Sequence, residues 1–377
     1  MSVHQNHPFV NNVRFWSMFS IIAIHCIWSP VFSNDDLRTH HFQFTLVQIL
    51  KFGSIDFFLI SGFLLGERID QCSSWHYLRR RLQKIGVPWV FWAGISVIGL
   101  FIEDQFTGRL AGVSLPSQLW QRIDQIFFAS IYWFVPNMLF ALGILLLFRR
   151  LLDHVSFGLV LGAFSAFYGI NAYFSWFASD HKIALFGFAF YLWLGTQAAR
   201  HFDWLLRFLE RIPLWILLTA DIALCFIAYK EGRYLLEHTM GDPENTLRIP
   251  NQLFSISVAL TLMMVRPIWP SFIDVQANTF GQYLIHPILL KLLRAPITLV
   301  ATFLSEYLVG SPAAVWHNPV TAFAVWTTMF GLCYGGALLL TKALIRIRLG
   351  GLVGHSAPKP TPILVSPRVE PLSAQAA

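Results

Sequence analysis

Ten apolar runs, most of them about twenty residues long, dominate the chain and limit what it can fold into. A helix rising 1.5 Å per residue needs about 20 apolar residues to cross a hydrocarbon core of about 30 Å. Such runs are centred in 14–32, 43–66, 85–102, 125–148, 155–178, 183–199, 212–229, 249–265, 279–304 and 318–341. Charged residues make up 12% of the 377 positions, about half the roughly 25% usual in soluble domains. The hydrophobic share of 55% points the same way. A soluble fold is excluded, and the expected class is all-α: a polytopic membrane helical bundle of about ten transmembrane helices. The runs at 183–199 and 249–265 are short, and the ninth carries Lys291 and Arg294 in its second half.

Ten crossings put both termini on one side, and basic residues say which. With the N-terminus inside, 17 Lys and Arg fall in inside segments and 9 outside, with Lys51 within a span. The positive-inside rule therefore places both termini in the cytoplasm. The net charge of +7 then reflects basic cytoplasmic loops touching membrane lipid, and no nucleic-acid partner is expected. The first run is too long for a cleavable signal peptide and leads into further spans. Residues 1–349 are expected to form the transmembrane domain. From Gly350 onward, Pro358, Pro360, Pro362, Pro367 and Pro371 break any periodicity, so 350–377 is expected to be a disordered Pro-rich cytoplasmic tail. Cys26, Cys72, Cys225 and Cys333 lie too far apart to suggest a disulfide framework or a zinc site. A metal at Asp35, Asp36, His40 and His41 is conceivable chemically, but an ordinary solvated outer loop is the expectation. No resident metal or cofactor is expected.

Ionisable groups inside a bilayer cost several kcal/mol, so they are the first functional candidates. His25 lies in the first run, eleven residues after Arg14. Eleven steps of about 100° bring both onto one helical stripe, about 16 Å apart along the axis. Asp56, counted back from the cytoplasmic end of the second run near Gly66, falls about 15 Å deep. That depth matches His25, so the two could form a general-base dyad. Asp221 in the seventh run comes to a similar depth and is a rival partner. A histidine at such a place can also serve only to join helices by a hydrogen bond. His286 precedes Pro287, where it could instead satisfy carbonyls freed by the proline. Ser61 and Gly62 read best as a small-residue packing point, since no G-x-S-x-G turn surrounds the serine. The basic stretch Tyr77-Leu-Arg-Arg-Arg-Leu-Gln-Lys-Ile-Gly-Val-Pro88 could grip phosphate oxygens or anchor the chain to anionic lipid. No Walker loop, dinucleotide fingerprint or HExxH occurs.

Five stretches resemble the acyltransferase-3 family of integral membrane acyltransferases, over nearly the whole membrane portion from Arg14 to about Leu340. Arg14 with His25 is similar to the arginine and histidine pair of the family's first helix. Ile55-Asp-Phe-Phe-Leu-Ile-Ser-Gly-Phe-Leu-Leu65 resembles its "vDlFFvlSGfll" run and is the most specific match. The basic stretch at 77–88 is similar to its "RxxR…P" loop, with Lys84 where a second arginine would stand. Ile131-Tyr-Trp-Phe-Val resembles "hlWFL", with Asn137 in a region where many members are acidic. Gly281-Gln-Tyr-Leu-Ile-His-Pro287 resembles "giYliHp".

The resemblance implies an O-acyltransferase of the bacterial inner membrane. It would move an acetyl group from acetyl-CoA, a co-substrate, to a hydroxyl of a surface or exported polysaccharide or its lipid-linked precursor. His25 would be the general base, with Asp56 beside it. Arg14, Arg80, Arg81, Lys84, Trp133 and His286 would bind donor or acceptor. Other polysaccharide-biosynthesis membrane proteins would be its neighbours. A transporter or flippase for a lipid-linked glycan is the alternative, but it would call for discontinuous helices and repeat symmetry, and the sequence shows neither. A membrane acyltransferase of another family, built on an Asn/His pair, fits the long Arg14 to His25 spacing poorly.

Overall fold

The computed structural model describes residues 7–27, 37–71, 73–110, 112–179, 184–266, 269–311 and 318–355, and all regular structure among them is helical. Helix α1 (Pro8–His25) opens on proline, whose missing N–H has no helical partner to lose at that position. The apolar run predicts a helix to about residue 32, but α1 ends at His25. The Trp326 indole donates to the Ala23 carbonyl over 2.9 Å, which satisfies one of the acceptors left over at a helix C-terminus.

The single run expected at 43–66 is two helices, α2 (Leu37–Ile49) and α3 (Gly53–Gly66). The side chain of Ser73 accepts from the His76 N–H and caps α4 (Ser74–Arg81). A π-helical turn at Leu82–Gly86 carries α4 directly into α5 (Val87–Thr107). Helix α6 (Leu115–Asp124) continues through a second π-turn and a short 3-10 turn at Ile131–Trp133 into α7 (Phe134–Leu147), with a bend of 60°. Helices α8 (Val155–Phe174) and α9 (Leu185–Arg200) follow. The short α10 (Phe202–Leu209) meets α11 (Leu214–Glu237) at 94°. Its exposed Trp204 and Phe208 stack at 5.6 Å. The chain continues through α12 (Ile249–Met264), the long α13 (Val275–Val309) with Pro287 and Pro296 inside it, and α14 (Pro319–Arg346).

Each of the ten expected runs is helical in its central part, but among the described residues five helical stretches are long and apolar enough to cross a membrane alone, or up to seven if each bent pair counts as one span. Three expected runs contribute no such stretch. Helices α9 and α12 are 16 residues each, shorter than the bilayer core at 1.5 Å per residue, and α1, with Asn11, Asn12 and Arg14 in its 18 residues, is less apolar than the stretches that qualify.

Two apolar cores meet along α1 and α3. One joins α1, α5, α13 and α14 through Met18, Ile22, Val97, Leu284 and Met329. The other joins α3, α7 and α9 through Phe58, Leu142, Leu145, Phe188 and Leu192. The closest approach is between α3 and α9. A Cβ on Gly62 would stand 2.0 Å from the Leu192 carbonyl oxygen, and one on Gly195 would stand 2.0 Å from that of Leu59. The expected packing role of Gly62 is therefore filled by two glycines facing one another, as in membrane helix pairs generally.

Arg248 is fully buried and ties the starts and ends of several helices together. It donates to Glu231 over 2.6 Å and to Gln48 over 2.7 Å, while Tyr173 donates to Glu231 over 2.6 Å. Past the expected domain boundary, Gly350–Val353 forms a 3-10 turn with Val353 buried, and Trp92 donates to the Leu352 carbonyl over 2.8 Å. Residues 356–377 lie outside the described residues, as do Asp35 and Asp36.

Candidate active site

The stripe of α1 that carries Arg14 lines a cavity of about 510 Å³ through Val10, Arg14, Met18 and Ile21. Steps of four, four and three residues keep these side chains on one face, and the next step of four reaches His25. Around the cationic end stand Arg68, just past α3, and Arg81 and Lys84, one turn apart across the π-turn. Arg14 lies within electrostatic range of both Arg81 and Arg68. The Tyr77 hydroxyl accepts from Arg81 over 2.9 and 3.1 Å, which aims the guanidinium. Nε2 of His7 lies 2.9 Å from a Glu67 carboxyl oxygen on the cavity wall. Three arginines and a lysine around one cavity gather the positive charge and N–H donors that suit phosphate oxygens.

The inner end of the cavity is apolar and aromatic. Phe57, Phe134, Met138 and Tyr283 line it, with Phe134 and Tyr283 edge to face at 5.8 Å. Two reciprocal bonds fix this wall. The Tyr132 hydroxyl donates to the Leu284 carbonyl over 2.8 Å, and the Tyr283 hydroxyl donates to the Ile131 carbonyl over 2.8 Å. The broken start of α7 is thus clamped onto α13. Ser61 also faces the cavity, and its hydroxyl donates to the Met138 sulfur at 3.6 Å, a contact that gives it no activating base.

Beyond Tyr283 the two histidines named from sequence come together. The rings of His25 and His286 lie at 5.7 Å and 24° to one another, with Tyr283 at 5.9 Å from His286. His286 is eleven residues into α13, roughly 16 Å from its start. This equals the depth derived for His25 from Arg14.

The structure does not bring Asp56 to His25. Gly53 stands against Ser17, Ser20 and Ile21, while Ile60 and Phe63 pack with Val10 and Val13. Helices α1 and α3 are therefore antiparallel, with Asp56 level with the middle of α1, roughly 12 Å from His25 along the axis. Asp56 is fully buried, and neither carboxyl oxygen has a partner among the described residues. Asp221, the rival, accepts from Ser257 over 2.5 Å and from Thr261 over 2.7 Å, so it serves to join α11 to α12. Arg80 is exposed and does not line the cavity, which Arg81 does. Trp133 packs on Phe188 at 5.1 Å in the neighbouring core, and Phe134, one residue later, is the aromatic on the cavity.

A model of this family, described as an acyltransferase domain, matches residues 7–342. The chain belongs to the acyltransferase-3 family. No curated relative and no solved structure matches it. Membership gives the coarse activity, acyl transfer by a protein with several membrane-crossing helices. Several of this acyltransferase's cavity residues had no sequence signal strong enough to name them. Arg68 was visible only as one of the inside basic residues, and the His7 to Glu67 pair joins positions sixty residues apart. Phe134 and Tyr283 lie inside the stretches that carried the resemblance, so only their roles were missed.

Proposed function

We propose that this acyltransferase moves an acetyl group from acetyl-CoA to a hydroxyl of a surface or exported polysaccharide or its lipid-linked precursor, with His25 as the general base. The observation that carries the proposal is the single face of α1 running from a four-cation cavity at Arg14 to the histidine pair at His25. The phosphates of CoA suit the cationic end, and an extended pantetheine arm has a reach comparable to the distance from Arg14 to His25. The aromatic inner wall keeps water from a thioester held there.

His25 takes the proton of the acceptor hydroxyl as its oxygen attacks the thioester carbonyl. The tetrahedral intermediate then expels the CoA thiolate, which recovers that proton, leaving the ester on the sugar. With Asp56 two turns away, another group must stabilise the imidazolium. His25 is the last residue of α1, and the partial negative charge at a helix C-terminus stabilises a proton gained there. Ten crossings, cytoplasmic termini, the bacterial inner membrane and association with other polysaccharide-biosynthesis proteins belong to the same proposal.

The donor site is tested by contrasting neighbours. Arg81→Glu is expected to raise the KM for acetyl-CoA at least about tenfold, because it puts a like charge beside phosphate inside a cationic site. Arg80→Glu, on the exposed side, is expected to leave that KM within about twofold, since exposed charges contribute little. Equal effects of the two variants in a steady-state acetyl-transfer assay would return the basic stretch to a lipid anchor. The bends between α6 and α7 and between α10 and α11 are a feature that a transporter would share, so an assay of transfer must also follow translocation.

A further inference from the structure

His286 has a defined proton position that the reaction above leaves unused. The residue after it, Pro287, has no N–H, so the Tyr283 carbonyl four residues earlier loses its helical donor. The His286 ring turns back along this stretch, with Nδ1 at 3.2 Å from the Gln282 carbonyl oxygen. A carbonyl can only accept, so Nδ1 carries the hydrogen and Nε2 presents a lone pair. Nε2 is buried and has no partner among the described residues, and the residue is 0% exposed. The Cys333 thiol, 3.5 Å away, donates to the His286 backbone carbonyl and leaves the ring untouched. A buried acceptor of this kind needs a donor, and the nearest element of the proposed chemistry is the acceptor at His25, whose ring lies nearly parallel at 5.7 Å.

Two imidazoles side by side match a substrate with two hydroxyls side by side, as sugars have on adjacent ring carbons. We propose that the acceptor is recognised as a vicinal diol. The hydroxyl that is acylated gives its proton to His25, and the neighbouring hydroxyl donates its hydrogen bond to Nε2 of His286. This rests on the O-acetyltransferase reading and adds to it which carbohydrate hydroxyls qualify: those with a free hydroxyl on the next carbon. His286 exchanges no proton in the reaction and fixes which hydroxyl meets His25.

The experiment uses the full chain in lipid nanodiscs, acetyl-CoA, a methyl glycoside whose acetylated carbon has been mapped, and its analogue deoxygenated at the adjacent carbon. The wild type is expected to lose about 10–100-fold in kcat/KM on the deoxy analogue, since a site built to pair a hydroxyl rejects a substrate lacking it. His286→Phe is expected to treat the two glycosides alike. His286→Gln, whose amide oxygen can stand near the Nε2 position, is expected to recover most of the discrimination. Equal use of both glycosides by the wild type would overturn the inference without any variant, and so would full discrimination by His286→Phe. Acetylation of the diol by the wild type alongside either of those results leaves the O-acetyltransferase reading standing. Transfer to no glycoside at all overturns that reading and this inference together.

Discussion

Replacing His25 by alanine is expected to lower acetyl transfer about 10²–10⁴-fold, the usual contribution of a positioned general base. Donor binding should be nearly unchanged, because the cations that suit the CoA phosphates lie at the other end of the α1 stripe, around Arg14. The effect therefore belongs in kcat, with the KM for acetyl-CoA close to the wild-type value. His25 is the last residue of α1, and the carbonyl two residues before it is held by Trp326, so its loss should leave the helix end in place. A variant that lost rate and donor affinity together would mean that His25 shapes the cavity instead of moving a proton.

The second large effect is structural. Gly62→Leu is expected to destabilise the folded chain by about 3 kcal/mol or more, because overpacking cannot be relieved when the obstacle is backbone. The Cβ alone would meet the Leu192 carbonyl oxygen at 2.0 Å. Helix α3 carries cavity residues on one side and the α9 contact on the other, so the cavity and this contact should fail together. Gly99→Ala, in α5 with nothing within 4 Å of the added carbon, is the control and should be neutral or slightly stabilising. Thermal unfolding in detergent, followed by intrinsic tryptophan fluorescence, checks both. A Gly62→Leu variant as stable as the Gly99→Ala control would contradict the packing described for α3 and α9.

Helical periodicity makes one face of α1 legible. The Arg14 to His25 stripe follows from 100° per residue along a regular helix, and α1 is regular over that length. The basic stretch was legible as a group, but which of its members reach the cavity was not. Neighbouring residues differ by 100° in direction, and the π-turn at Leu82–Gly86 changes the phase between Arg81 and Lys84. The same one-residue ambiguity, at a bend of 60°, separates Trp133 from Phe134.

Depth was less readable than direction. Counting from the end of the apolar run gives the depth of Asp56 only if neighbouring helices start in one plane. The offset between α1 and α3 is set by the contact of Gly53 with Ser17 and Ser20, and no local pattern encodes it. The place of Asp221 is hidden from the sequence for a related reason, since its partners Ser257 and Thr261 lie on another helix. His25 and His286 were each named separately, and their stacking depends on two parallel helices 261 positions apart in sequence. The ten apolar runs told helices from loops well. Which of them cross independently was not legible, because α9 and α12 are short and other runs are bent or broken.

If the cationic cavity and the histidine pair together perform acyl transfer, purified protein in sealed vesicles, supplied with acetyl-labelled acetyl-CoA on the face carrying Arg14 and Arg81 and with glycan acceptor present, will show it. The predicted result is labelled acetyl in ester linkage on the glycan, released by mild base, dependent on His25 and abolished when donor is offered only on the opposite face. Movement of glycan across the membrane with no labelled ester, or labelling undiminished in the His25→Ala variant, would contradict it.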